Sequence, residues 1–213
     1  MRQETRPATL LARPAPAALF LLVVLVLAAS AARGLVRAHA DRMRLVTGRA
    51  EWIWYAAPVA APRPIRFFAT QQFVLPEAPR GALAKVFVDR EHALWVNGRR
   101  VGGGTQRPGD PLAIYEIAPL LRAGENRIAI EAASPDGIGG ILAAVDVRGL
   151  GRNALVTDGR WRVSLDPASI RAGAAGAYRP VVWGGPPQYP WGYPRMPRPA
   201  ELLEPVMDSA ASR

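Results

Sequence analysis

Short runs of alternating apolar and polar residues, separated by turn-forming residues, follow one another through the middle of this chain. The clearest pair, residues 94–96 and 99–101, flanks Asn97 and Gly98. An Asn-Gly pair between two such runs is typical of a type I′ hairpin, because both turn positions need a positive φ. Strand–turn–strand units in series favour an antiparallel sandwich over βαβ units. We therefore predict an all-β body whose function lies in its end loops.

The strand pattern defines one domain, at residues 50–192. Its predicted strands cover residues 51–55, 66–75, 82–89, 94–101 as the hairpin, 113–117, 127–132, 138–148 and 155–165. In the last of these, Trp161, Val163 and Leu165 alternate with polar residues, which predicts one buried and one wet face. Residues 119–122 predict a helical turn. The run Gly102-Gly103-Gly104 predicts a flexible loop, because it lacks the Lys-Ser/Thr and the helix of a phosphate-binding loop.

An uncharged apolar segment precedes this domain, between Arg13 and Arg33. As a helix it spans roughly 28 Å, close to the ~30 Å hydrocarbon core of a bilayer. We predict a transmembrane anchor or signal helix at residues 14–33, with a basic segment at 1–13 before it and a basic linker at 34–49 after it. Small residues around 29–31 and 38–40 leave cleavage as a signal peptide open. We favour the uncleaved, single-pass anchor, in contact with the lipid bilayer.

The orientation of this anchor is ambiguous by charge. Five arginines follow the segment within residues 33–49 and three precede it, so the positive-inside rule places the body in the cytoplasm. Long C-terminal domains, however, translocate largely regardless of charge. We expect the β-rich body and the Pro-rich tail at 193–213 on the extracytoplasmic, periplasmic side of the cell membrane.

The order of several motifs carries a family resemblance. They are Trp52-Ile53-Trp54, Arg66-Phe67-Phe68, Phe73-Val74-Leu75-Pro76, residues 84–89, 94–98 and 101–102, Tyr115-Glu116-Ile117 with Leu120-Leu121, residues 124–130, Trp161 and Pro190-Trp191-Gly192. This order resembles the galactose-binding-like jelly-roll modules, above all the N-terminal sandwich domains of bacterial α-L-rhamnosidases and related glycoside hydrolases. The resemblance implies a jelly-roll β-sandwich that binds carbohydrate or serves as a structural attachment. The catalytic helical barrel of the rhamnosidases has no counterpart in this sequence.

Candidate ligand-binding residues are aromatic side chains outside the strand patterns. Trp183, Tyr189 and Trp191 fall in a Gly/Pro-rich stretch, where an indole or phenol ring could stack on a sugar or on a partner protein. Asn97 could meet a sugar hydroxyl, although its turn role is favoured. The tryptophans inside predicted strands are assigned to the core: Trp52, Trp54, Trp95 and Trp161.

Other classes of site have little support. The chain has no cysteine and two histidines far apart, so no zinc-type spacing exists. No Gly-x-Ser-x-Gly elbow occurs, and we predict no catalytic residue, metal or cofactor. Calcium held by Asp89, Asp110 or Asp136 is an alternative to ordinary solvated turn aspartates. The net charge of +10 is concentrated around the apolar segment, which favours anionic lipid over nucleic acid as a partner.

These observations leave three hypotheses for function. The first is a non-catalytic, membrane-anchored extracytoplasmic module that binds carbohydrate or a neighbouring protein. The alternative is a structural or accessory subunit of a larger membrane protein complex, with the helix packed in the membrane and the sandwich capping the complex. A glycoside-processing enzyme is the third, and it needs two carboxylates that converge in a pocket.

Overall fold

The computed structural model describes residues 16–55, 63–172 and 176–193, with the side chains of these residues except 39–45. The chain divides after His39 into two compact units. The first unit contains most of one long helix, and the second contains the β-sandwich. Apart from Tyr193, the predicted Pro-rich tail lies outside the described residues.

The N-terminal helix, α1, runs from Pro16 to Thr47. Its apolar part, Pro16–Ala38, is 23 residues long and none of it is buried. This length and composition suffice to cross a membrane or to form a signal sequence. The helix continues through the segment expected to be a linker, and it ends at Gly48, whose φ of +61° is the left-handed conformation common at helix ends.

Eleven strands form two antiparallel sheets in the described residues. They are β1 Trp52–Trp54, β2 Ile65–Leu75, β3 Ala82–Val88, β4 Arg90–Val96, β5 Arg99–Gln106, β6 Ala113–Glu116, β7 Gly124–Ser134, β8 Ile141–Val147, β9 Gly151–Val156, β10 Arg162–Ser164 and β11 Val181–Gly184. The six-stranded sheet has the order β11-β1-β8-β3-β6, with β9 also paired to β8. The five-stranded sheet has the order β10-β2-β7-β4-β5. The predicted antiparallel sandwich is confirmed.

The inward faces of the two sheets form the main hydrophobic core. Phe67, Leu94 and Ile130 of the five-stranded sheet meet Ile141 and Val145 of the six-stranded sheet. The inward positions alternate along each strand, as a half-buried strand requires. The predicted burial of three tryptophans is confirmed: Trp52, Trp54 and Trp161 are all at most 2% exposed.

Two local predictions are confirmed at the ends of these strands. Asn97 and Gly98 have φ values of +49° and +77°, and Val96 pairs directly with Arg99. This is the two-residue hairpin expected from the Asn-Gly pair. A short 3₁₀ turn, Ala118–Leu120, occupies the place of the predicted helical turn.

One predicted strand proves to be two. Residues 155–165 contain the end of β9, which pairs with β8 in the six-stranded sheet, and β10, which pairs with β2 in the other sheet. The chain crosses between the sheets at a turn in which Asp158 accepts hydrogen bonds from the backbone and side chain of Arg160. Leu165, expected on the buried face, lies beyond β10 and is 56% exposed.

The triple-glycine run is a strand rather than a flexible loop. Gly102 and Gly103 belong to β5. A Cβ on Gly102 would lie 2.5 Å from the ring of Tyr115, and one on Gly103 would lie 2.3 Å from the carbonyl oxygen of His92. Glycine is required here because another side chain and a neighbouring backbone approach too closely.

The outer face of the six-stranded sheet is covered, and we call it the covered face. Trp52, Phe87 and Leu142 point outward from this sheet and form a second cluster with Val46 and Trp191. Trp191 stacks on Trp52 with ring centroids 4.9 Å apart. The helix end and the segment after β11 therefore bury a sheet face that would otherwise meet water.

The covered face also contains a buried ion pair. Lys85 is 1% exposed and donates to Asp146 Oδ1 at 2.6 Å and to Asn153 Oδ1 at 2.9 Å. Asp146 Oδ1 also accepts from the backbone N–H of Asn153. Burial lowers the pKa of Lys85, and the hydrogen bond and charge of Asp146 act in the opposite direction.

Candidate functional site

The outer face of the five-stranded sheet, called the open face here, is polar and partly bare. Its strands are in register, so outward side chains line up in rows across the sheet. One row is Arg66, Ala133, Glu91 and Thr105. In the next row Glu131 is followed by Ala93 and Gly103, which have little or no side chain.

Charged side chains connect the two rows. Arg66 forms ion pairs with Glu131 and with Glu91, the latter at 3.6 Å between Nη2 and Oε2. The indole Nε1 of Trp95 faces Glu131 Oε2 at 3.4 Å. Trp95, Glu131, Arg66 and Glu91 thus form a continuous line of donors and acceptors along the sheet.

Beyond Arg66 this line opens into a cavity of about 960 Å³, which we call the sheet groove. Its lining comes from β2, β4, β5, β7 and the adjoining loops: Pro64, Ile65, Arg66, Arg90, Glu91, Thr105, Arg107, Ala133, Ser134 and Pro135. This volume is at the upper end of the ~300–1,000 Å³ typical of small-molecule sites.

Arg90 stands at the wall of the sheet groove in an unusual conformation. Its φ is +100°, a region that non-glycine residues rarely adopt and that concentrates at functional sites. Its guanidinium contacts Asp89 Oδ1 and Asp136 Oδ2, each at 3.2 Å. A hydrogen bond from the Ser134 hydroxyl, together with those from Ile138 N–H and Arg90, lowers the pKa of Asp136. Two carboxylates therefore fix the orientation of Arg90.

Arg107 is the unpaired cation of the sheet groove. It is exposed, and in the described part of the chain its guanidinium makes no ion pair. Its backbone N–H donates to Asp110 Oδ2 at 2.8 Å, which holds the loop after β5. The guanidinium is therefore free to meet an acceptor inside the cavity.

Two of the predicted ligand-binding aromatics are on the surface. Trp183 in β11 is 42% exposed and Tyr189 in the following turn is 91% exposed. Neither lines the sheet groove. Their role in binding stays a prediction.

Trp191, expected at the surface, is 6% exposed. Besides stacking on Trp52, its Nε1 donates to Asp89 Oδ2 at 2.7 Å. Asp89 in turn contacts Arg90. The ring of Trp191 does not line the sheet groove; it is linked to this cavity by its hydrogen bond to Asp89, which contacts Arg90. The expected surface position of Trp191 is therefore wrong, because the ring is buried.

The side chain of Asn97 is occupied by the turn. Its Nδ2 donates to the carbonyl of Leu120 and to Asn126 Oδ1, both at 2.8 Å, and its Oδ1 accepts from the backbone N–H of Arg127 at 2.8 Å. Both amide hydrogens and one oxygen lone pair are thus used within the protein. This geometry assigns Asn97 to hairpin closure.

The aspartates considered for calcium have protein partners. Asp89 binds Trp191 and Arg90, Asp136 binds Ser134 and Arg90, and Asp110 caps the backbone of Arg107. Among the described residues, no group of three or more histidines, cysteines or acidic residues is arranged to hold a metal ion.

Trp95 is the residue of the open face that the sequence assignment missed. It was assigned to the core, but it is half-buried on the outer face, packed beside Phe68, Ala129 and Ile170. The alternation within β4 contains the signal, since Glu91 and Trp95 fall on one face and Leu94 on the other. Because Leu94 and Val96 flank Trp95, the segment looks uniformly apolar and this alternation is hard to recognise.

Solved structures similar to this chain include lectins and glycosidases. A rhamnosidase of family GH78 from Bacillus sp. GL1 matches with a TM-score of 0.60 at 22% identity, over 69% of this chain and 19% of that one. The lectin of Pleurotus ostreatus matches with a TM-score of 0.59 at 21% identity, over 72% of this chain and 48% of that one. The α-L-rhamnosidase of Streptomyces avermitilis, solved with L-rhamnose, matches with a TM-score of 0.58 at 19% identity, over 67% of this chain and 15% of that one.

These likenesses concern the fold. This chain shares with these structures the two-sheet antiparallel sandwich that the sequence resemblance implied. The chain spans less than half the length of the lectin and under a fifth of these two rhamnosidases. No protein-family model and no curated protein matches the sequence.

Proposed function

We propose that this chain is a non-catalytic carbohydrate-binding module, tethered by α1 to a membrane, with its sandwich on the extracytoplasmic side. The observation that carries the proposal is the sheet groove, an open cavity of about 960 Å³ with charged side chains in its lining. A lectin of similar fold has been solved in complex with GalNAc and a rhamnosidase with L-rhamnose. The short coverage of the rhamnosidases supports a binding role without catalysis.

The groove has the chemistry that a sugar needs. Neighbouring hydroxyls of a pyranose both donate and accept hydrogen bonds, and the Arg66–Glu131 and Arg66–Glu91 pairs offer both functions at adjacent positions. The small side chain of Ala133, in the cavity lining beside Arg66 and Glu91, leaves space for a sugar ring above the sheet. The half-buried Trp95 lies outside this lining and holds Glu131, a partner of Arg66, through its indole N–H.

The proposal is tested with the full chain in nanodiscs of neutral lipid, screened on a glycan array and then by calorimetry with the best ligand. Arg66→Ala is expected to weaken binding about tenfold, since it removes charge-assisted hydrogen bonds. Arg80→Ala, which changes an exposed arginine in the loop between β2 and β3, is the matched control and should bind normally.

The exposed aromatics provide the competing location. If Trp183→Ala or Tyr189→Ala abolishes glycan binding while Arg66→Ala does not, the ligand binds near β11 and the sheet groove is not the site. If no glycan binds and the chain copurifies from native membranes with larger polypeptides, the accessory-subunit hypothesis replaces this one. A protease added to cells whose outer membrane has been permeabilised tests the orientation, because an extracytoplasmic sandwich is then cleaved while a cytoplasmic one stays protected.

A further inference from the structure

A second cavity, of about 450 Å³, lies on the open face, and we call it the arginine groove. Its lining is Thr70, Gln71, Gln72, Arg127, Arg160, Arg162 and Ala177. It is separated from the sheet groove by the 3₁₀ turn Pro167–Ile170, which packs on Phe68 and Ala129 between them.

The sheet register directs two of these arginines to the same place. Arg162 of β10 pairs with Thr70, and Arg127 of β7 pairs with Gln72. The two arginines therefore flank β2 on its two neighbouring strands, about 10 Å apart across the sheet. Side chains of this length can reach a common point above Thr70 and Gln72.

The positive charge in this groove exceeds its negative charge. Arg160 is neutralised by Asp158, 2.6 Å away. Arg162 is exposed and has no ion pair within the described residues, whereas Arg127 makes one long contact, 3.5 Å to the carbonyl of Ser169. Burial lowers the pKa of Arg127, opposed by the charge of Glu125, so this cation is held where water only partly solvates it.

Such a site is suited to an anion. Arg127 and Arg162, which form no ion pair within the described residues, line this groove together with Gln72, and an oxyanion with several acceptor atoms could contact all three. Among the residues that the structure describes, no aromatic side chain lines the groove, and a stacking surface is what binds single-stranded nucleic acid.

We propose that the arginine groove binds the carboxylate or sulfate of an acidic glycan that passes over the 3₁₀ turn and places its other sugar units in the sheet groove. This inference rests on the proposed function, because it assigns the class of glycan to that same face. The unpaired Arg107 in the sheet groove agrees with an acidic ligand.

The test compares acidic oligosaccharides with neutralised forms of the same backbone, on the full chain in neutral nanodiscs. The probes are tetragalacturonate against its methyl ester and a heparin tetrasaccharide against its desulfated, N-acetylated and carboxyl-reduced form. At least one acidic probe should bind about tenfold more tightly than its partner at low salt, and this preference should shrink as salt rises.

Variants then locate the preference. Arg162→Gln and Arg127→Gln should each reduce binding of the acidic probe about fivefold or more and leave the neutral probe unchanged, while Arg80→Gln changes neither. Equal binding of both members of each pair, or equal effects of all three substitutions, overturns the acidic-glycan inference and leaves the carbohydrate-binding function intact. Absence of binding to any glycan on the array overturns both.

Discussion

The two outer faces of the sandwich differ in what lies over them. On the covered face, Trp191 and Val46 close a cluster in which Trp52 is fully buried. On the open face, the side chains of Arg66 and Glu91 are more than half exposed. Both faces carry an ion pair between a cation and a carboxylate. The side chains of Lys85 and Asp146 are buried, whereas those of Arg66 and Glu91 are exposed to solvent.

This contrast predicts that the two outer faces contribute differently to the stability of the domain. A buried aromatic cluster contributes free energy through the apolar area that it removes from water. An exposed ion pair contributes little to stability, because water already solvates both partners. Substitutions on the covered face should therefore reduce the free energy of unfolding more than substitutions on the open face. The predictions below test this division, in order of decreasing expected effect.

Truncation of Trp191 is expected to have the largest effect. Trp191→Ala removes the stacking partner of Trp52 and leaves Asp89 without its indole donor, which should reduce the free energy of unfolding by about 3–5 kcal/mol. Trp183→Ala, at an exposed position, should cost under about 1 kcal/mol. Urea denaturation of the full chain in neutral detergent measures both. Equal costs would contradict the role of Trp191 in closing the covered face.

The buried ion pair should show strong non-additivity. Asp146→Ala leaves Lys85 charged and unpaired in a dry site and is expected to cost about 3 kcal/mol. The double variant Lys85→Met with Asp146→Leu replaces both charges with apolar groups and should recover most of that loss. A double variant as unstable as Asp146→Ala would mean that the pair itself holds the covered face.

The layer between the two faces should respond to pH. His92 is buried, its Nε2 lies 2.9 Å from the hydroxyl of Tyr115, and burial lowers its pKa. As pH falls below the ordinary histidine pKa of about 6.5, the unfolded chain takes up a proton before the folded one, so stability should decrease. His92→Gln should flatten this dependence between pH 7 and 5, and His39→Gln should not. An unchanged slope in His92→Gln would assign the effect to other groups.

Changes at the open face should affect stability least. Glu91→Gln is expected to shift the free energy of unfolding by about 0.5 kcal/mol or less, because its ion pair with Arg66 is exposed. Arg66→Gln is expected to cost about 1 kcal/mol, because it also removes the partner of Glu131, whose side chain is 17% exposed. The same denaturation experiment measures them. A loss above about 1.5 kcal/mol would show that the sheet groove is part of the structural framework.

The sequence predicted the positions of most strands well because local patterns determine them. The Asn97–Gly98 hairpin follows from the conformational needs of two residues, and the strands around it follow from alternation. The β9–β10 crossing was missed because a strand that changes sheets keeps its alternation, and only the turn at Asp158 marks the break. The strand Val181–Gly184 lies in a Gly/Pro-rich context that hides it.

The candidate site was harder to predict, because it depends on residues that are distant in sequence. Arg66, Glu91 and Glu131 meet only through the register of β2, β7 and β4. Trp191 and Asp89 are 102 positions apart, and no local pattern joins them. The composition shows that the chain is rich in arginine. It does not predict which of the guanidinium groups form ion pairs with carboxylates.

The stacking of Trp191 on Trp52 has a consequence for biosynthesis. Trp52 lies near the start of the sandwich, whereas its stacking partner Trp191 is synthesised only after the eleven described strands. Until then Trp52, Phe87 and Leu142 form an exposed hydrophobic patch on the nascent domain. Chaperones recognise surfaces of this kind. The turn that carries Trp191 covers this patch once it has been made.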